Sequence, residues 1–262
     1  MTSSAYEFCR YEVDGPLLVL TIARPEVLNA FTPAAHREFS DAFNRYAADR
    51  DLRVAIITGS GDRAFCVGTD LKELARTGDD SKPETGFAGI THRFDLWKPV
   101  IAAVNGLCLG GGMEIIAACD IAIAAEHAEF GLPEPRVGLA ALGGGLLQRL
   151  PRQIASKDAM WMILTGERIS AERATQLRIV NEVVAGRDLP GRARTVAAMI
   201  LAGAPLAIQA SKQVALQSMA FADLATAMQA DYSLVHKMLA SDDAREGPRA
   251  FSEKRNPTWT GR

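Results

Sequence analysis

The stretch that decides the fold is Val100-Ile-Ala-Ala-Val-Asn-Gly-Leu-Cys-Leu-Gly-Gly-Gly-Met-Glu114. It opens with a short apolar run that is typical of a buried strand. After Asn105-Gly106 and a triple glycine, residues 113–119 predict a helix with an acidic residue in its first turn. Consecutive glycines let the backbone approach a ligand closely, and the first N–H groups of a helix are unpaired. Taken alone, the stretch fits equally well an anion-stabilising site and tight packing of a helix on a sheet.

Similar short apolar runs surround this stretch. Strands are predicted at residues 11–13, 17–22, 54–58, 100–104 and 121–124. The first two are separated by the turn pair Asp14-Gly15. Between the later strands lie helical stretches, one of which begins at Thr32-Pro33 with Thr as N-cap and Pro in the first turn. Another is predicted at residues 157–164. Short buried strands alternating with helices indicate an α/β fold.

The pattern changes towards the C-terminus. No strand is predicted after about residue 201, and residues 223–239 predict one long amphipathic helix. We therefore divide the chain into a core, residues 1–200, and a helical region, residues 201–262. Residues 78–89, rich in Gly, Asp, Ser and Pro, predict a mobile loop.

Composition excludes several classes of protein. Of the 262 residues, 48% are hydrophobic and 23% charged, which is the balance of a globular chain with a sizeable core. The 29 basic residues against 31 acidic ones argue against a nucleic-acid binder, which needs a basic excess. Four scattered cysteines without C-x-x-C spacing predict reduced thiols. Residues 1–7 lack the basic and apolar regions of a secretory signal, and no apolar stretch is long enough to cross a membrane, so we expect a cytoplasmic protein.

Common catalytic motifs are also missing. Gly59-Ser-Gly-Asp-Arg-Ala64 superficially matches a dinucleotide fingerprint, but Gly68 then falls where the phosphate-binding helix should be running. The sequence contains neither a P-loop nor a G-x-S-x-G nucleophile motif. Its four histidines are scattered and never form H-x-x-x-H. We expect no metal site and no serine triad.

Two further loops contain sequence motifs. Ala64-Phe-Cys-Val-Gly-Thr-Asp-Leu71 is a glycine-bearing loop that leads into a helical stretch, and Phe130-Gly-Leu-Pro-Glu134 places a carboxylate beside a proline. Each by itself is more often a plain connection. Together with the stretch Asn105–Glu114 and the segment Arg24-Pro25…Asn29-Ala30, however, they resemble the crotonase (enoyl-CoA hydratase/isomerase) superfamily. Leu164-Thr-Gly166, Val180-Asn-Glu-Val183 and the tail Ala250-Phe-Ser-Glu-Lys-Arg255 fit as well, so the resemblance extends along nearly the whole chain.

The resemblance implies a fold and an assembly. It implies a crotonase-like spiral of ββα units, followed by a C-terminal helical region that builds homotrimers, usually stacked as hexamers. It also implies acyl-CoA thioesters as partners and no separate cofactor, because coenzyme A is part of the substrate.

The same resemblance implies the chemistry. The backbone N–H groups of Thr69 and Gly111 would form an oxyanion hole for the thioester oxygen. The hydratases of the family carry two glutamates, matched here by Glu114 and Glu134. We assign Glu114 mainly to activating water and Glu134 mainly to transferring the proton at the α-carbon. The pair favours hydration of 2-enoyl-CoA, or the reverse dehydration.

Coenzyme A contacts are implied for two groups of residues. The first group surrounds the entry segment and the first glycine-bearing loop: Pro25, Val27, Ala30, Ala64, Gly68, Asp70, Leu71 and Lys72. The second is on the tail, where Phe251 and Lys254 would reach coenzyme A on an adjacent subunit. A solvated surface charge is an equally good interpretation of Lys254.

One segment departs from the family pattern. After Glu134, residues 135–145 lack the proline that many hydratases have near Ala141, so the straight-chain fatty-acyl specificity of those enzymes does not transfer directly. A carnitinyl-CoA (crotonobetainyl-CoA) dehydratase, an aromatic enoyl-CoA substrate and a Δ3–Δ2 enoyl-CoA isomerase remain alternatives. The non-enzymatic alternatives are an inactive CoA-binding protein and an RNA-binding relative.

Overall fold

The structure, a computed structural model, describes residues 6–262. Residues 1–5, which carry most of the stretch used to argue against a secretory signal, lie outside the described residues. The strands of the described chain are β1 (Cys9–Asp14), β2 (Leu17–Ile22), β3 (Val54–Gly59), β4 (Ala64–Cys66), β5 (Val100–Val104), β6 (Leu107–Leu109), β7 (Ile121–Ala125), β8 (Glu129–Gly131), β9 (Ile169–Ser170) and β10 (Glu182–Val184). Its α-helices are α1 (Pro33–Ala48), α2 (Leu71–Thr77), α3 (Gly111–Ala118), α4 (Leu146–Gln153), α5 (Ser156–Thr165), α6 (Ala171–Gln176), α7 (Leu189–Leu201), α8 (Pro205–Gln217), α9 (Leu224–Gln229), α10 (Ser233–Ala240) and α11 (Asp243–Ser252).

The strands form two sheets between which the chain alternates. The larger sheet has the order β1-β2-β3-β5-β7-β10 and the smaller one the order β4-β6-β8-β9. The chain passes from β3 to β4, from β5 to β6 and from β7 to β8, so each successive turn of chain adds one strand to each sheet. This repeat is the predicted spiral of ββα units, and the predicted α/β class is confirmed.

Both faces of the larger sheet are buried along its inner strands β2, β3, β5 and β7. Alternate residues along its strands point to opposite sides, as the pleat of a strand requires. On one side, Leu20, Ile57 and Val104 join the core that includes the aromatic residues of α1. On the other, Ile56 and Ile101 pack with small residues of α7. Burial on both faces explains why these strands are continuous apolar runs rather than alternating ones.

The smaller sheet positions the loops that carry the sequence motifs. Strands β4, β6 and β8 are parallel neighbours. Because the carboxyl ends of parallel strands meet at one edge, the chain leaves all three strands on the same side of the sheet. There it enters the loop before α2, the glycine run that begins α3, and the 3₁₀ turn Glu134–Val137. Three motifs that are distant in sequence are thereby brought to one edge.

The prediction of one long helix at residues 223–239 is wrong. The structure has two helices, α9 and α10, separated by extended backbone at Ala230 and Tyr232. The Tyr232 hydroxyl donates to the carbonyl of Ala227 (2.7 Å), and the buried Gln213 side chain accepts from the N–H of Leu234 (2.8 Å). These tertiary hydrogen bonds satisfy the broken helix ends, which an amphipathic pattern alone does not reveal.

The predicted loop at residues 78–89 is wrong at its C-terminal end. Residues 78–86 connect without helix or strand, but Phe87–Gly89 form a 3₁₀ turn that is fully buried against α1. The reason is tertiary: the Ala88 N–H donates to the Nδ1 of the buried His36 (3.0 Å). Ala88 has a φ of 50°, so a non-glycine residue is held in the left-handed region by this packing.

Two remaining expectations concern the thiols and the membrane. All four cysteines lie within the described chain, and none is in a disulfide. Among residues 6–262, no single helix has the length and apolar composition needed to cross a membrane. The segments Gly186–Leu201 and Pro205–Ala220 meet that test only as a pair, and the pair is bent by 99°.

Candidate active site

The first feature of the site is the backbone of the two predicted N–H donors, Thr69 and Gly111. Thr69 forms an isolated parallel bridge with Phe31, in which the Phe31 N–H donates to the Gly68 carbonyl and the Asp70 N–H donates to the Phe31 carbonyl (both 2.8 Å). This bridge does not use the Thr69 N–H. Gly68 has a φ of +95°, and a Cβ built on it would lie 3.0 Å from the Gly111 nitrogen. The loop before α2 therefore touches the start of α3, which brings the backbone of Thr69 close to that of Gly111.

Phe87 fixes the position of Gly111 from behind. Its ring lies so close to the Gly111 Cα that any Cβ there would overlap it. The ring in turn packs against His36 and Phe31, with centroid distances of 4.5 and 5.2 Å. Gly111 begins α3, so its N–H is one of the orphan donors of a helix N-terminus. A rigid aromatic support thus holds a donor that is free to bind a developing anion.

Glu114 is buried in the first turn of α3. Its side chain is 3% exposed, and its Oε1 has no hydrogen-bond partner. Burial raises the pKa of this carboxyl, the N–H of Gly144 lowers it by hydrogen bonding, Glu134 raises it, and Lys82 and Arg149 lower it. A buried carboxyl with an unpaired oxygen is the arrangement expected of a general acid or base rather than of a structural ion pair.

Glu134 begins the 3₁₀ turn that follows β8. Its Oε1 is the nearest atom to a Cβ built on Gly110, at 2.9 Å, so the carboxyl lies over the glycine run of α3. Its Oε2 is buried without a partner, and burial raises its pKa. The two predicted carboxylates therefore have the same kind of environment, and each has one free oxygen.

A single cavity of about 420 Å³ connects these groups. It is lined by residues from all three strand-end loops and from the segment 135–145: Val67, Gly68, Thr69, Leu71, Leu74, Asp80, Lys82, Phe87, Gly110, Gly111, Glu114, Pro133, Glu134, Val137, Leu139, Ala140, Ala141, Leu142 and Gly143. The four predicted catalytic residues, Thr69, Gly111, Glu114 and Glu134, all line it. A larger surface groove of about 590 Å³ beside α6 and β10 contains none of them.

The predicted coenzyme A residues are divided among several places. Gly68 and Leu71 line the catalytic cavity, whereas Pro25 and Ala64 line a second cavity of about 270 Å³ on the other side of the same loops. Asp70 caps α2 and forms an ion pair with Arg24 (3.2 Å). The remaining members are exposed or pack locally: Val27, Ala30 and Lys72. Phe251 and Lys254, at the end of α11, line neither cavity, and their assignment to an adjacent subunit stays a prediction.

Sequence reasoning missed four residues around the site. Lys82 and Asp80 were assigned to a mobile loop, and Phe87 to its end, because nothing in the sequence shows that this segment folds over the cavity. Arg149 of α4 stabilises the end of the segment 135–145 by donating to the carbonyl of Gly144 (2.5 Å). It also donates to the carbonyl of Thr91 (2.5 Å). The glycine run 143–145 was a usable signal, since it marks a close approach of the backbone to the buried Glu114.

Comparison with known proteins agrees with this geometry. The family model described as enoyl-CoA hydratase/isomerase matches residues 12–262. A carnitinyl-CoA dehydratase of Salmonella paratyphi A is 42% identical over 257 residues, which cover 95% of this chain and 97% of that protein. A crystal structure of an enoyl-CoA hydratase from Mycobacterium marinum superposes with a TM-score of 0.91 at 40% identity, covering 98% of this chain and 100% of the other. An enoyl-CoA hydratase from Mycobacterium tuberculosis gives 0.91 at 38% identity with the same coverage.

Proposed function

This chain belongs to the enoyl-CoA hydratase/isomerase family and is a hydratase-type lyase, and we propose that Glu114 and Glu134 move water across the C2–C3 bond of its acyl-CoA substrate. The observation that carries the proposal is the shared cavity. The buried carboxyl of Glu114 and the half-buried carboxyl of Glu134, each with an unpartnered oxygen, line it together with Thr69 and Gly111. No separate cofactor takes part, because the thioester itself makes the α-carbon acidic.

The oxyanion hole stabilises the charge that develops. When water adds to C3, the electrons of the double bond move towards the thioester oxygen and form an enolate. The N–H groups of Thr69 and Gly111 donate to that oxygen, and they are fixed by backbone before the charge appears. One such donor typically contributes about 10²–10³ in rate.

The two glutamates divide the proton transfers. Glu114 takes a proton from water while the water oxygen bonds to C3, and Glu134 gives a proton to C2 of the enolate. The positive charges of Lys82 and Arg149 and the N–H of Gly144 all favour the ionised form of Glu114. Glu134 has only a local backbone hydrogen bond to offset its burial. This difference suits Glu114 as base and Glu134 as acid, and the roles reverse in dehydration.

The test is hydration of crotonyl-CoA, followed by loss of the enoyl-thioester absorbance. We expect Glu114→Gln and Glu134→Gln each to lower kcat by about 10²–10⁴, because each removes a proton-transfer group without changing shape. Glu172→Gln, an exposed carboxylate on α6, is the matched control and should match the wild type.

The outcome distinguishes the alternatives. An isomerase would move the double bond without incorporating oxygen from isotopically labelled water, and full activity in both glutamine variants would contradict the proposed roles. An inactive CoA-binding protein would bind the thioester and turn nothing over. An inactive site would be expected to have lost one of the glutamates or the glycine run, and this chain keeps Glu114, Glu134 and all three glycines.

The second candidate is dehydration of carnitinyl-CoA. It is favoured by the 42% identity to the Salmonella enzyme of that name. The same residues would run the reaction in the direction of water loss, and only the group attached to C4 of the acyl chain differs. Discrimination between substrates that differ at C4 therefore depends on the part of the cavity wall that lies past Glu114.

A further inference from the structure

Lys82 is a cation in the wall of the catalytic cavity. It lies on the connection between α2 and the turn at Phe87, yet its side chain is only 16% exposed. Its ammonium pairs with the carboxylate of Asp80 (2.8 Å) and donates to the Asp80 carbonyl (3.1 Å). The Asp80 side chain is 53% exposed and lines the cavity as well. These contacts use two of the three donors of the ammonium group, so one donor remains for a ligand.

The same ammonium lies next to the group that handles water. A Cβ built on Gly143 would lie 3.0 Å from Lys82 Cε, 3.6 Å from its Nζ and 3.4 Å from Glu114 Oε2. The ammonium and the carboxylate thus flank the same point of the cavity wall.

The order of atoms in the substrate places its fourth carbon, C4, near the cavity wall at Gly143. The thioester oxygen is fixed by the N–H groups of Thr69 and Gly111, and C3 must lie beside the water that Glu114 activates. A substituent on C4 is one bond further from the thioester, so it reaches the part of the wall that lies past Glu114. Lys82, Leu139, Leu142 and Gly143 line the same cavity as Glu114, and we place them in that part of the wall.

We propose that Lys82 determines the substrate class of this enzyme, favouring 2-enoyl-CoA thioesters that carry a carboxylate on C4 and disfavouring those that carry a cation there. The proposal rests on the hydratase function. A largely buried ammonium attracts an anion and repels a cation more strongly than it would in water. A trimethylammonium group on C4 would have to lie beside Lys82, so this proposal and the dehydration of carnitinyl-CoA are competing alternatives.

The first experiment measures binding alone. Three saturated thioesters, which cannot be hydrated, differ only at C4: butyryl-CoA, glutaryl-CoA with a carboxylate, and 4-(trimethylammonio)butyryl-CoA with a cation. By titration calorimetry we expect the full-length protein to bind glutaryl-CoA most tightly and the cationic thioester most weakly. Lys82→Met should reduce the ratio of the two extreme affinities by about tenfold or more, as expected for loss of one close charge interaction.

Ratios between thioesters isolate the effect of the charge. Any general effect of the substitution on the cavity or on Glu114 changes all three affinities and cancels. Lys82→Arg keeps a cation and should keep the order, and Lys157→Met, an exposed lysine on α5, should leave the ratios unchanged. The proposal is overturned if the wild type shows no preference for the anion, or if Lys82→Met leaves the ratio as it was.

Turnover of the unsaturated counterparts separates this proposal from the function on which it rests. The probes are crotonyl-CoA, glutaconyl-CoA and crotonobetainyl-CoA. We expect the same order in kcat/KM. Hydration of crotonyl-CoA without any charge preference refutes only the role of Lys82, whereas the expected order of binding with no turnover of any probe refutes the hydratase function.

Discussion

At the scale of single residues, the site depends on how closely two pieces of backbone approach each other. Gly68 lies against the nitrogen of Gly111, and Phe87 lies against the Cα of Gly111. No room remains for a side chain at Gly111, so packing holds the backbone that we propose as a donor of the oxyanion hole. Backbone donors held in this way need no reorganisation when charge appears.

Substitution of Gly111 by alanine should therefore damage catalysis. The added methyl group overlaps the Phe87 ring, and relief of that overlap moves the N–H away from the thioester oxygen. We expect kcat/KM for hydration of crotonyl-CoA to fall by about 10²–10³, the loss typical of one oxyanion donor. Gly191→Ala is the matched control, because nothing lies within 4 Å of a Cβ at this helical glycine. Full activity in Gly111→Ala would show that this N–H does not bind the substrate.

At the scale of elements, α1 supports the site through a buried histidine. His36 is 2% exposed, stacks on Phe31 and accepts the Ala88 N–H, which holds the turn that carries Phe87. Burial, together with the positive charges of Lys82 and Arg37, lowers the pKa of His36 to about 3. The imidazole is therefore neutral in the folded protein at any pH above that value.

This shift predicts a pH dependence of stability. The pKa is lower in the folded chain than the ordinary 6.5, so the unfolded state binds the proton first as the pH falls. Above about pH 6.5 His36 does not lower the free energy of unfolding. Between about pH 6.5 and pH 3 the free energy of unfolding falls by roughly 1.4 kcal/mol per pH unit because of this one group. His36→Asn keeps an acceptor for Ala88 but cannot titrate. Urea unfolding at several pH values should give a shallower decline for this variant, and equal slopes would disprove the assignment.

At the scale of the whole molecule, the helical C-terminal region leaves apolar side chains in solvent. Leu224 and Met228 of α9 are 74% and 77% exposed, and Phe251 of α11 is 87% exposed. A contiguous apolar patch marks an interaction surface, and Leu224 and Met228 lie one turn apart on the same face of α9. The trimer implied by the family resemblance would cover such a surface.

The prediction is an assembly of three or six chains. Light scattering during size-exclusion chromatography should give three or six times the chain mass of 28.1 kDa. Replacing Leu224 and Met228 together by glutamate should shift the mass towards the single chain while circular dichroism stays unchanged. A wild-type protein that elutes as a monomer would contradict the predicted assembly.

The sequence by itself determined the local elements, and it selected the candidates for the reacting groups. The runs at 54–58, 100–104 and 121–124 predict strands because both faces of that sheet are buried, and Thr32-Pro33 predicts the start of α1 because capping is local. Glu114, Glu134 and the glycine run could be selected because they form a motif with fixed spacing.

Tertiary structure decided what depends on contacts between distant residues. The break at Ala230–Tyr232 is stabilised by Gln213 and Tyr232, and the burial of Phe87–Gly89 depends on His36. The position of Lys82 near Glu114 also depends on tertiary contacts, because no local conformational preference places a polar segment in the wall of a cavity. Spacing along the chain predicts hydrogen bonds a few residues apart, whereas the charge in the cavity wall depends on how separate segments pack.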